Sequence, residues 1–77
     1  MRAVIQRVSQ ACVAIGHKET ARISRGLLVF LGVETGDTSV DVRWLAGKIG
    51  RMRIFPDEQG RMNKDIQNIQ GDILVVS

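Results

Sequence analysis

Among the 77 residues there is no tyrosine, one histidine, one cysteine and one proline, and the aromatic set is two phenylalanines and one tryptophan. Each scarcity excludes something. A lone Cys12 cannot close an internal disulfide, and one cysteine with one histidine, His17, cannot complete a tetrahedral zinc site. There is no GxxxxGK[ST] phosphate loop, no GxGxxG after a strand, no CxxC and no HExxH. No cofactor and no metal are therefore expected. The opening MRAVIQRVSQ has no apolar signal-peptide region, and no run approaches membrane-spanning length. A single unpaired cysteine without a signal points to a reducing cytoplasm. Repeats, low-complexity stretches and linkers are also missing, so residues 1–77 are read as part or all of one domain.

What is present is a globular composition, 44% hydrophobic and 25% charged. A chain this short buries only about 60% of its surface, so reliance on a partner is expected. The net charge of +3 mildly favours an anionic partner such as RNA, although a slight lysine and arginine excess on a small domain reads the same way. Residues 2–8 (RAVIQRV) and 11–15 (ACVAI) read as strands, the second with Ala11, Val13 and Ile15 on one face. Gly16–Glu19 is a polar hairpin turn and 20–24 the return strand. The apolar run LLVFLGV (27–33) predicts a central strand. After the loop ETGDT (34–38), Thr38 and Asp41 resemble a capping box opening a helix. Val42, Leu45, Ile49 and Met52 make one apolar stripe along it. RIF (53–55) and RMN (61–63) flank a turn with Pro56 early and Gly60 late. KDIQNIQG (64–71) is a polar connection, and GDILVVS ends in a strand at 72–77 that reads as covered on both faces. The fold class expected is α+β: a mostly antiparallel, barrel-like sheet with one packed helix.

Few residues carry chemistry. His17 in the turn GHKE has only Glu19 near it in sequence, and an exposed turn residue is the plainer reading. Cys12 lies in a strand without an activating base and is expected to be a small buried hydrophobe. Arg7 is more informative, because it ends the face shared by Ala3 and Ile5. There it either snorkels to solvent or fixes a loop by donating to backbone carbonyls. Ser77, at the end of a strand, is either a hydroxyl bonded to backbone or the start of a site.

Four strings occur in order: MRAVIQRVSQACV, GLLVFLGVETGDT, LAGKIGRMRIFPDEQGRMN and GDILVVS. Together, across all 77 residues, they resemble the N-terminal half of the D-aminoacyl-tRNA deacylase family, the D-tyrosyl-tRNA deacylases. The resemblance implies a cytoplasmic homodimeric ester hydrolase of translation quality control, with a β-rich barrel-like fold. Its substrate is the aminoacylated 3′ end of tRNA, charged with a D-amino acid or glycine, and it needs no metal, cofactor or membrane. The family site lies at the dimer interface. It is built from a Ser-Gln-Phe-Thr-Leu stretch after the strand matching 72–76 and a later Gly-Pro motif with a cis peptide. Catalysis in the family resembles a substrate-assisted reaction through the RNA 2′-hydroxyl. On that correspondence Ser77 is the first residue of the catalytic motif, and Arg7 is the arginine that orients the Gly-Pro motif. The rest of both motifs lies outside these residues, so the chain alone is expected to be inactive. The alternative is a noncatalytic truncated fragment that acts as an assembly or tRNA-binding piece.

Overall fold

The computed structural model describes Met1–Ser77. The elements in chain order are β1 (Arg2–Val8), β2 (Ala11–Ile15), β3 (Lys18–Ile23), β4 (Gly26–Gly32), α1 (Ser39–Arg51), β5 (Phe55–Pro56), β6 (Met62–Lys64) and β7 (Asp72–Val76). The main sheet has the order β1-β4-β7. β1 and β4 are antiparallel, with Ile5 opposite Val29 and Arg7 opposite Leu27. β4 and β7 are parallel, with Leu27 beside Ile73 and Val29 beside Val75. β2–β3 and β5–β6 are separate antiparallel hairpins. Three of the four pairings are thus antiparallel, with one helix packed on the sheet: the mostly antiparallel α+β class.

β4 is the central strand because its alternation places Leu27 and Val29 on one face, at 0% and 2% exposure. They meet Ile49 of α1, Phe55 and Ile66 in a single core, with Ala3, Ile5, Leu45, Ile54 and Ile69 packed against it. α1 starts as its sequence dictates. The Thr38 hydroxyl accepts from the Val40 N–H at 3.3 Å, and the Thr38 N–H donates to Asp41 Oδ2 at 2.8 Å. Upstream, Asp37 accepts from the Glu34 N–H at 2.7 Å and pairs with the Met1 ammonium at 2.9 Å. The start of β1 is thereby tied to the loop before α1. Asp37 is held below its ordinary value of 3.8, first by the Glu34 N–H and then by the ammonium; the Met1 ammonium is raised above 8.0, chiefly by its hydrogen bond to Asp37.

Several expectations need correction. β7 is not covered on both faces: Leu74 is buried, but Ile73 and Val75 on the helix side are 42% and 53% exposed. Val42, Leu45 and Ala46 of α1 border them across an open apolar gap rather than covering them. Cys12 is exposed rather than buried, because Ala11 and Val13 take the inward positions of β2 while Cys12 faces out opposite Arg22. Ile15, near the end of β2, is 72% exposed although it alternates with Ala11 and Val13, and the pairing with β3 shifts between Val13 and Ala14. The connection 64–71 is no mere polar loop. Asp65 and Asn68 bond each other's backbone N–H groups at 2.8–2.9 Å, and that turn drives Ile66 into the core.

Candidate functional site

Arg7 resolves the choice between snorkelling and clamping by doing both. Its guanidinium is exposed, yet one terminal nitrogen donates to the Ile54 carbonyl at 2.6 Å and to Met62 Sδ at 3.0 Å. The side chain reaches from the end of β1 to the stretch entering the β5–β6 hairpin. Arg25, between β3 and β4, approaches the same stretch from another side, its guanidinium carbon 5.5 Å from the Phe55 ring centroid. Phe55 is fully buried, so this stacking surface is fixed.

The two arginines line an open cleft of about 330 Å³ with Val8, Ser9 and Pro56. Neither is in an ion pair; the four salt bridges involve Met1, Arg2, Arg22 and Lys64. Two positioned, unneutralised guanidiniums can hold an anion. No carboxylate or imidazole lines the cleft beside them. His17 lies in the exposed β2–β3 turn, and its ring makes no hydrogen bond.

Ser77 sits elsewhere. It follows β7, whose last pair is Phe30 with Val76, whereas Arg7 is level with Leu27 and Ile73. Four residues along the strands and two strand spacings across separate the two by roughly 16 Å. The Ser77 hydroxyl is exposed and has no protein partner. One chain therefore does not bring its two candidate residues together. Beside Ser77, on the face away from α1, Val4 is 68% and Phe30 45% exposed. Arg25 was not singled out from the sequence. Only its pairing with Phe55, thirty positions along the chain, makes it part of the cleft, and no local pattern carries that.

A second concavity is wholly apolar. It measures about 260 Å³ and lies between α1 and the sheet, walled by Val42, Leu45 and Ala46 on one side and by Val29, Ile73 and Val75 on the other.

A family profile described as D-Tyr-tRNA(Tyr) deacylase matches residues 4–77. A D-aminoacyl-tRNA deacylase of Opitutus terrae is 58% identical over the whole chain, and one of Flavobacterium johnsoniae is 54% identical. In both cases the match covers 51% of the relative, so the chain spans about half the length of the curated relatives it matches. Among solved structures, the c-Myc DNA Unwinding Element Binding Protein superposes with a TM-score of 0.93 at 37% identity, over 97% of this chain and 51% of that one.

Proposed function

The chain belongs to the D-Tyr-tRNA(Tyr) deacylase family, and from that membership we propose that it supplies the N-terminal half of a D-aminoacyl-tRNA deacylase. The reaction is hydrolysis of the ester between a D-amino acid, or glycine, and the 3′ end of tRNA, in the cytoplasm, as part of translation quality control. Ser77 opens the catalytic motif, and Arg7 orients the element that closes the pocket. The observation that carries this reading is the placement of these two residues at opposite ends of one three-stranded sheet. A two-fold axis sets the Ser77 end of one copy against the Arg7 end of the other, so a homodimer can assemble from both what neither copy holds alone. The exposed Val4 and Phe30 beside Ser77 suit such a contact. On this reading the attack is assisted by the tRNA's own 2′-hydroxyl, as the family resemblance implies.

The chain by itself is inactive on this reading, because Ser77 and Arg7 are one part each of a larger pocket. The test is loss of the ester from D-Tyr-tRNA followed with the purified chain and with Arg7→Ala. The expected result is equal background for both. Turnover by the native chain above the Arg7→Ala control would refute inactivity.

The second reading, a noncatalytic tRNA-binding or assembly piece, is favoured by the unneutralised Arg7 and Arg25 in one cleft. Deacylated tRNA binding that weakens steeply with salt supports it, since each phosphate contact releases counterions. Association through strands alone is nearly indifferent to salt.

A further inference from the structure

Opposite its core stripe, α1 carries Val40, Trp44, Lys48 and Arg51, spaced four, four and three residues apart and so stacked on one face. Val40 is 70% and Trp44 65% exposed, and neither belongs to the core. An indole left this bare forgoes the large burial that aromatic side chains ordinarily bring. The cations around it have no partners. Arg43, Lys48 and Arg51 are exposed, and none of the four salt bridges involves them. Asp41, the one acid of the helix, is occupied by its cap. Ser39 to Arg53 holds four cations and one acid, a net charge of +3. The whole chain, with eleven and eight, is also +3, so its entire excess lies on this segment. Arg51 folds back along the helix over Gly47, where an added Cβ would stand 2.8 Å from its Nη1. Its charge is thereby carried toward Trp44. Cations in the last turn complement the helix dipole, but the dipole asks nothing of an exposed tryptophan.

An aromatic side chain among unpaired cations matches an unpaired nucleic-acid strand, whose base stacks on the ring while its phosphates meet the charges. An apolar protein surface would instead strip water from three cations and return no partner. We propose that the outward face of α1 is an RNA-binding surface, with one unpaired base stacked on Trp44 and the flanking phosphates held by Arg43, Lys48 and Arg51. It rests on tRNA being the partner of this chain, and it lies on the helix rather than in the Arg7–Arg25 cleft.

Trp44 is the only tryptophan and there is no tyrosine, so intrinsic emission reports on this face alone. The test is titration of the chain with deacylated tRNA and with a single-stranded oligoadenylate, following that emission. Both should quench it to saturation, with affinity falling steeply as salt rises. Lys48→Ala and Arg51→Ala should each lower the salt slope by about one contact. Trp44→Ala, read by filter retention, should weaken binding by at least about fivefold. All three side chains are exposed, and circular dichroism checks that the variants keep the fold. If tRNA binds while the emission is unmoved and the helix variants bind like the native chain, the inference is overturned and tRNA binding through the cleft stands. If neither RNA binds, tRNA binding by this chain falls and the inference with it. Emission that changes with protein concentration and not with RNA marks a contact between copies and overturns it too.

Discussion

A methyl group added at Gly26 would fall on the carbonyl of Asp72. The requirement is one of close approach, not of turn geometry: the first residue of β4 lies against the first residue of β7, where the Asp72 N–H donates to the Arg25 carbonyl at 3.1 Å. Gly26→Ala therefore pushes the parallel pair apart at its start. We expect a loss of about 1–3 kcal/mol in urea unfolding, with faster hydrogen exchange at the β7 amides than at those of β1. Unchanged stability would mean that β7 docks independently of this contact. Arg7 and Cys12 show how far single residues can be read from sequence. The alternation that places Arg7 after Ala3 and Ile5 also says that its side chain leaves the core at an edge, and its acceptor, the Ile54 carbonyl, is where that edge leads. For Cys12 residue type misleads: small and apolar by habit, it is outward by register opposite Arg22.

At the level of elements, α1 was legible almost to the residue. Its cap is a local interaction between Thr38 and Asp41, and its stripe has one period. The stripe is not equally buried, however. Ile49 is in the core, Leu45 packs against it, and Val42 stands half exposed over the groove. Leu45→Asp puts a carboxylate between helix and sheet with no partner, and we expect loss of the cooperative thermal transition. A soluble variant melting like the native chain would show that the helix is not held by this face. The hairpin β5–β6 was placed by Pro56 and Gly60, with Asp57 accepting from the Gln59 and Arg61 N–H groups at 2.9–3.0 Å. What sequence did not convey was coverage. The run Ile73–Val76 has the composition of a strand buried on both sides, but burial depends on neighbours that periodicity does not specify. The candidate site is obscured for the same reason: Arg25 and Phe55, like Arg7 and Ser77, are related only through the strand order.

As a whole the molecule is a plate. Its extents are 42 × 36 × 16 Å, and its radius of gyration of 13.8 Å exceeds the roughly 11.5 Å of a compact chain of this length. Only seven residues are buried, so stability rests on a thin layer and on ties at its margins. Those ties make it pH dependent. Asp37, Glu19 and Glu58 are each held below their ordinary values by hydrogen bonds, chiefly to the Glu34 N–H, Arg22 and Lys64 respectively. Stability from a lowered carboxylate is present above its unfolded value and lost as pH falls. The Met1 ammonium is raised, so its contribution holds below 8.0 and is lost as pH rises beyond it. A plateau from about pH 4.5 to 8 is expected in chemical unfolding. Asp37→Asn should erase the alkaline decline and reduce the acid one; an unaltered alkaline limb would exclude the Met1–Asp37 pair as its cause.

β7 is an edge strand, and one side of its backbone has no partner in the sheet. Ile73 to Val76 contains no charge and no proline, the composition from which dry, interdigitated stacks of identical segments are made. Two fates therefore compete for that strand. Pairing along that side protects it, while a bare edge invites the same strand of another copy to stack there. What decides between them is how soon that edge is occupied during folding.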